Sequence, residues 1–430
     1  MKIGLEVHVA LPTRSKLFCS CRTDAEEPNT AICPICTGMP GSKPVLNEGA
    51  LTLAVSIANA LKCKVPAATS FVRKVYFYPD LPKNFQITQK DDPVGIGGEI
   101  SIEQGKKVGI RRVQLEEDPA KIIRQDDYTL IDFNRSGIPL VEIVTEPDIS
   151  AEDELRSFMT ELKSILYYIG IDIDKELKVD LNISVKDARV EVKNVTGMKN
   201  LLDAARYELQ RQEKLVKAKQ EIVQETRSYS EKDMHTVSSR EKESDEEYGF
   251  IFEPDLTVYR TKGIKTAEPV YASRLAREYA KKYGVGESTI RELIMFNKES
   301  LEMIESYKGK HDMKPILNAI SLLQRYATAK PTAATFEKTV GLLEKGFYPD
   351  KEAILGIESG KKVEAHAAAG TGEIDKEIKH LIKENSKLLK EYEKNPKVFN
   401  FIIGAVIKKY KSNPREVSER LERILEGFKR

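Results

Sequence analysis

The chain has 430 residues, 40% hydrophobic and 32% charged, a globular composition with ample material for the cores of two or three domains. Its 69 Lys and Arg against 67 Asp and Glu leave a net charge of +2, which excludes wholesale electrostatic wrapping of nucleic acid and allows only local basic patches. The opening MKIGLEVHVAL lacks the apolar core of a secretory leader, and the longest apolar stretch, Phe399 to Ile407, is far short of the ~20 residues of a membrane span.

The first element is a strand. In KIGLEVHVAL, Ile3, Leu5, Val7, Val9 and Leu11 alternate onto one face, and Gly4, Glu6, His8 and Ala10 take the other. Glu6 and His8 thus project side by side, placed to share a metal or a proton, or to form a plain solvated face.

Next comes FCSCRTDAEEPNTAICPICTG, residues 18–38, with Cys19, Cys21, Cys33 and Cys36. The spacing suits tetrahedral thiolate coordination of Zn²⁺, and Pro34 and Gly38 favour the tight knuckle that brings two sulfurs together. Four sulfurs close the coordination sphere, so the expected role is structural. Clustered cysteines suit a reducing compartment, and a cytoplasmic protein is expected. Cys63 reads as a core residue in a helical segment.

YFYPDLPKNFQITQ, 76–89, holds Pro79 and Pro82 and cannot be a regular helix. It reads as a rigid aromatic loop, either lining a pocket or packed on itself. LEEDPAK, 115–121, sets Glu116, Glu117 and Asp118 in a row. IPLVEIVTEPD, 138–148, places Glu142 in an apolar strand, where it needs a partner: a cation, or an arginine such as Arg135.

VDLNISV, 179–185, and RVEVK, 189–193, read as a hairpin turning at Lys186-Asp187-Ala188. Its apolar face carries Leu181, Ile183, Val185, Val190 and Val192. The other gathers Asp180, Asn182, Ser184, Arg189, Glu191 and Lys193, groups suited to a polyanion and its metal. An amphipathic helix follows at about 198–220, then QETR, 224–227, and a run from Glu241 to Glu247 read as a solvated loop.

Near residue 258 the texture changes to Lys/Glu/Leu-rich helical periodicity. Helices are expected over 266–308, 314–328, 330–347 and 350–359, with a hinge at 363–372 and three more helices in 373–430, breaking at Asn395-Pro396 and Ser412-Asn413-Pro414. This tail is mildly basic, 15 Lys and Arg against 10 Asp and Glu. No Walker phosphate loop, Rossmann fingerprint or G-x-S-x-G elbow occurs, so a bound nucleotide would rely on carboxylate-held metal and scattered basic groups.

Together, GLEVHVAL, PNTAICPICTGMPGSKPVLN, RKVYFYPDLPKNFQITQ, LEEDPAK, DFNRSGIPLVEIVTEPDI, DLNISV, RVEVKN and QETR, in this order, resemble the B subunit of tRNA-dependent amidotransferases, the GatB family. The resemblance is dense over 1–258 and weak over 259–365. It resumes in NPKVFNFIIGAVIKKYKSNPREVSERL, which looks like the family's YqeY-type helical domain. It implies an α+β fold with a mixed-sheet, cradle-type catalytic domain at 1–258, a helical domain at 259–365 and a YqeY-like tRNA-binding tail at 366–430.

The resemblance also implies an ATP-dependent carbon–nitrogen ligase with glutamine as amide donor. It would phosphorylate the side-chain carboxylate of Glu-tRNA(Gln) or Asp-tRNA(Asn), then amidate it with ammonia from a glutaminase A subunit, a small C subunit bracing the complex. By motif matching, Glu6, His8 and Glu117 resemble the family's Mg²⁺ site, with Glu116 and Glu142 beside them. Asp180, Asn182, Glu191 and Lys193 would face ATP. Lys74, Tyr78 and Lys83 match positions near the pocket and tunnel, the two lysines as catalytic candidates. Cys19, Cys21, Cys33 and Cys36 match a zinc knuckle found in some members.

Two departures stand out. The usual R-x-H-L-E-E-D-A-G-K reads RVQLEEDPAK, so Gln114 replaces His and Pro119-Ala120 replaces Ala-Gly. The usual D-Y-R-Y-F-P-E-P-D-L reads EEYGFIFEPDL, so Gly249 replaces Arg. They leave a second reading: a zinc-knuckle tRNA-binding scaffold with reduced or lost catalysis.

Overall fold

The computed structural model describes residues 1–103, 105–173, 177–186, 188–241, 249–361, 363, 371–384, 396–410 and 414–428. Asp187, the polar run from 242 onward, the interior of the expected hinge, Asn395, Ser412 and Asn413 lie outside them. The chain forms two compact units, Met1–Ser273 and Arg274–Arg430.

In chain order the first unit runs β1 (Lys2–Ala10), α1 (Glu48–Ala60), β2 (Ala68–Thr69), β3 (Val72–Val75), β4 (Phe85–Thr88), β5 (Gly95–Ser101), β6 (Lys107–Glu117), β7 (Lys121–Arg124), β8 (Thr129–Asp132) and β9 (Pro139–Thr145). It continues with α2 (Glu152–Ile169), β10 (Lys178–Ser184), β11 (Val190–Thr196), α3 (Met198–Lys217), β12 (Glu225–Ser230), β13 (His235–Glu241), β14 (Gly249–Phe252) and β15 (Tyr259–Arg260). Eight strands make one mixed sheet in the order β13-β12-β11-β10-β1-β9-β6-β5. All its neighbouring pairs are antiparallel except β11–β12, which α3 connects, as a parallel pair requires a crossover. A three-stranded sheet, β14-β3-β4, carries the segments flanking the aromatic loop.

The alternation expected of β1 decides which face is buried. Ile3, Leu5, Val7 and Val9 lie in the core with Val113, Leu115, Val141, Ile143, Val179, Leu181 and Ile183 from adjoining strands. Each such side chain contributes roughly 1.5–3 kcal/mol by leaving water. Helix α1 contacts β5 and β6, α2 contacts β5, and α3 contacts β10, β11 and β13. On α2 the buried Leu155, Phe158, Leu162, Ile165 and Leu166 recur at helical spacing, and Glu152, Asp153 and Glu154 favour the positive end of its dipole. Cys63 is buried as expected, but it follows the C-cap Leu61 of α1 instead of lying inside the helix.

The helices begin later than the change of texture at 258: β15 still belongs to the first unit and α4 spans Ala272–Tyr283. The stretch expected as helix over 266–308 is three helices: α4, α5 (Glu287–Ile294) and α6 (Lys298–Tyr307). Gly284, at φ 64, ends the first; Asn297 caps the third, its side chain accepting from Ser300 N at 2.8 Å. Then come α7 (Met313–Tyr326), α8 (Ala333–Glu344) and α9 (Lys351–Glu358). The tail supplies α10 (Thr371–Glu384), α11 (Pro396–Tyr410) and α12 (Pro414–Phe428), the last two opening on proline. These three share a core of Ile374, Ile378, Ile382, Ile402, Val406, Val417 and Leu421. No helix among the described residues is long and apolar enough to cross a membrane.

Candidate active site

The polar face of the large sheet is organised by register. Arg112, Val144, Glu6 and Asp180 are successive partners across β6, β9, β1 and β10. Two residues along the same strands, Gln114, Glu142, His8 and Lys178 form a second such row. Paired side chains on one sheet face stand close enough to interact, so the pleat alone assembles a cluster.

Two acidic groups result: His8 with Glu116 and Glu142, and Glu6 with Asp180 and Glu191, the ligand atoms within each lying within 4.8 Å of one another. His8 Nε2 is 3.7 Å from Glu116 Oε1, and Thr88 Oγ1 donates to Glu116 Oε2 at 3.1 Å. Burial alone would depress the His8 imidazole, but the carboxylates of Glu116 and Glu142 outweigh it and hold its pKa above the usual value. Burial, and next the Glu116 carboxylate, raise Glu142. Burial also raises Glu6, with Glu142, Glu191 and Asp180 adding to it.

The first group sets two carboxyl groups against a single imidazole. Three convergent ligand atoms suit a divalent cation that shares its remaining positions with water or phosphate. The second group is partly neutralised: Lys193 Nζ lies 3.0 Å from Asp180 and 2.6 Å from Glu191. Asn182 donates to Glu6 Oε1 at 3.1 Å, and Asn194 N donates to Asp180 at 2.7 Å. A polar cavity of about 230 Å³ opens on both groups, and Lys74, Lys90, Arg112, Arg189 and Lys193 add cations to its lining. Anionic and cationic side chains in one hollow suit a polyanion with its counter-cation.

Glu6 and His8, expected to share one Mg²⁺ site with Glu117, fall in separate groups, and Glu117 joins neither, a correction to that expectation. Adjacent strand residues point to opposite sides, so Glu116 reaches the cluster and Glu117 does not. Its carboxylate instead takes Lys83 Nζ at 2.5 and 2.7 Å and Ile87 N at 2.9 Å. Lys83 is therefore separated from Lys74, which lines the cavity. Arg135 does not pair with Glu142; it lies 3.6 Å from Asp118 and donates to the carbonyls of Pro119 and Ala120. Tyr78 is exposed and accepts from Arg124 at 3.2 Å.

The sulfurs of Cys19, Cys21, Cys33 and Cys36 also converge within 4.8 Å, a donor set that fits a tetrahedral metal. A hydrogen bond with Cys19 favours the Cys36 thiolate, pulling that thiol down to about 4, and the nearby Lys16 ammonium adds to the effect. Lys16 is wholly buried, its Nζ 3.6 Å from Cys36 Sγ and 3.1 Å from the Phe133 carbonyl. Asn29, Asn134 and Ser136 bind this loop to residues 131–136.

A family model described as the GatB/GatE catalytic domain matches residues 1–264. The B subunit of the aspartyl/glutamyl-tRNA(Asn/Gln) amidotransferase of Sulfolobus acidocaldarius is 34% identical over 471 residues, covering 99% of both chains. That of Thermotoga maritima is 36% identical, covering 99% of this chain and 98% of the relative. That of Haloarcula marismortui is 42% identical over 68% of this chain and 66% of its own. The chain belongs to the GatB family.

Seen as a GatB-family site, the cavity includes residues the motif reading passed over. Arg112 lies on the same strand face as Gln114 and Glu116, so alternation along β6 would have found it. Lys90 and Phe250 leave no such signal: they meet only because β14 pairs with β3, and Lys90 Nζ sits 3.8 Å from the Phe250 ring centre.

Proposed function

We propose that this chain is the amidating subunit of an aspartyl/glutamyl-tRNA(Asn/Gln) amidotransferase. It takes tRNA(Gln) carrying Glu, tRNA(Asn) carrying Asp, or both. The side-chain carboxylate oxygen attacks the γ-phosphorus of ATP, the β–γ bond breaks, and ADP leaves with the electron pair. Ammonia from a glutaminase A subunit then attacks the acyl-phosphate carbon, phosphate departs, and the nitrogen loses a proton. The logic is electronic: a carboxylate is a poor electrophile, and phosphorylation supplies a leaving group.

The observation that carries this reading is the single cavity in which two acidic groups face a set of cations. His8, Glu116 and Glu142 would hold Mg²⁺, with Glu6, Asp180, Glu191, Asn182 and Lys193 forming the adjoining nucleotide side. A bound divalent cation neutralises charge on the transferring phosphoryl group. Lys74, Arg112 and Arg189 add fixed positive charge at the same place. We assign Zn²⁺ to the four cysteines in a structural role, and a cytoplasmic setting suits those thiols and a tRNA substrate. We further assign cradle-type architecture to 1–258, a helical domain to 259–365, and a YqeY-like tRNA-binding role to 366–430, with a C subunit completing the assembly.

The test is reconstitution with the partner subunits and each misacylated tRNA. Amidated tRNA with stoichiometric phosphate release is the expected result. Binding of tRNA with neither product would overturn the catalytic reading in favour of a scaffold.

A further inference from the structure

We infer that Gln114 is a positioning residue for phosphoryl transfer: its side-chain amide separates Arg112 from Glu142, leaving one Glu142 oxygen for a cation and the Arg112 guanidinium for phosphate. The inference rests on the reading of the cavity given under the proposed function.

Gln114 is buried on β6 and is the register partner of Glu142 on β9. Its Nε2 donates to Glu142 Oε2 at 2.5 Å and approaches Thr88 Oγ1 at 3.4 Å, while its Oε1 accepts from Arg112 Nε at 2.8 Å. Chemistry fixes this orientation of the amide. A guanidinium only donates and a carboxylate only accepts, so the carbonyl must face Arg112 and the NH₂ must face Glu142. The two ends of one neutral group thereby satisfy opposite charges while keeping them out of hydrogen-bond contact, at the outer limit of an ion pair.

The charges are poised to meet. Arg112 Nη2 is 4.0 Å from Glu142 Oε1. With the amide gone, the guanidinium and the carboxylate would close into a two-pronged pair, the arrangement such groups favour. That pair would occupy both Glu142 oxygens and withdraw Arg112 from the cavity. Removing Gln114, which lines the same cavity without carrying a charge of its own, should therefore damage cation binding and phosphate binding together. Groups that orient metal ligands typically account for about 10–100-fold in metal affinity. A neutral imidazole also has one donor and one acceptor, so histidine is the conservative replacement here.

The experiment measures Mn²⁺ binding to the full-length protein by electron paramagnetic resonance, and binding of a non-hydrolysable ATP analogue by calorimetry. Gln114→Met should weaken Mn²⁺ binding about tenfold or more and weaken the analogue as well, and Gln114→His should stay within about threefold of the parent. The double variant Arg112→Met with Gln114→Met should regain Mn²⁺ affinity, because no guanidinium remains to capture Glu142, yet bind the analogue poorly. A loss caused only by disturbed packing would not be rescued by a second truncation. Should Gln114→Met not fold, Gln114→Asn, too short to span both partners, takes its place. Glu116→Gln is the control. If it loses Mn²⁺ binding while Gln114→Met keeps it, this inference is overturned and the cavity reading stands. If Glu116→Gln also binds Mn²⁺ normally, the cavity reading fails and takes the inference with it.

Discussion

Lys83 and Glu117 form an almost fully buried ion pair, with Nζ 2.5 and 2.7 Å from the two carboxylate oxygens, at the edge of the cysteine loop. Gly38, the second residue after Cys36, lies directly against it. A Cβ on Gly38 would come within 2.6 Å of Lys83 Cγ and 3.0 Å of its Cα, and the φ of +72 already favours glycine there. The turn that closes the cysteine cluster is thus also the seat of the lysine.

Glu117→Ala should therefore cost stability, on the order of 3 kcal/mol by chemical denaturation, because it leaves the Lys83 ammonium buried without its partner. Adding Lys83→Met should recover most of that loss. Glu117→Gln should bind Mn²⁺ as the parent does; loss of Mn²⁺ binding would return Glu117 to the ligand set.

Glu116→Gln and His8→Ala should each lower ATP-dependent amidation by roughly 10²–10³-fold with tRNA binding intact, as expected for groups acting on charge that develops during transfer. Single-turnover amidation and filter binding, run side by side, check this. Equal loss in both assays would mean these residues hold the fold instead.

Protons and cations should compete at this site. His8, Glu6 and Glu142 all have raised pKa values in the folded protein, so the native state binds more protons than the unfolded one. Stability of the metal-free protein should then fall as pH rises above the ordinary glutamate value of 4.5 and through and beyond the ordinary histidine value of 6.5. Mg²⁺ or Mn²⁺ should flatten that slope, and cation affinity should grow with pH as protons are displaced. Melting curves from pH 5 to 8, with and without the ion, decide it; a rising stability in the metal-free series contradicts the assignment.

Lys16→Met should speed loss of zinc from the cysteine cluster to a chelator by about tenfold, because the buried ammonium offsets part of the negative charge that four thiolates leave on the site. A dye-reported release assay measures the rate, and an unchanged rate would make Lys16 a packing residue only.

Deleting residues 371–430 should leave the first unit folded, since α10, α11 and α12 have a core of their own. It should weaken tRNA binding and reduce its salt dependence, because phosphate contacts govern both. A salt titration of intact and truncated proteins that superimposes would remove the tail from the tRNA site.

Much of the site is legible in the sequence because strands betray their faces. Alternation in KIGLEVHVAL and in the 179–193 hairpin locates Glu6, His8, Asp180, Asn182, Glu191 and Lys193 without knowledge of which strands pair. The error over Glu117 comes from motif matching, which does not register that the pleat turns Glu116 and Glu117 to opposite sides. Lys83 is legible as a residue but not in its place, since its partner is distant in sequence. Gln114 is visible as a substitution, and its work stays hidden until the register of β6 with β9 puts it between Arg112 and Glu142. The break of 266–308 into three helices turns on Gly284 and Asn297, small local signals inside an otherwise helical pattern.

β1 behaves like a reading frame. Its odd-numbered residues are interior wall and its even-numbered face carries Glu6 and His8, and partners on both flanks lock that parity. Insertion of a single amino acid after Gly4 would send the carboxylate and imidazole into hydrocarbon and turn aliphatic groups toward water, abolishing folding and chemistry in one stroke. Paired insertions would restore the parity, so length variation in this strand should come in twos.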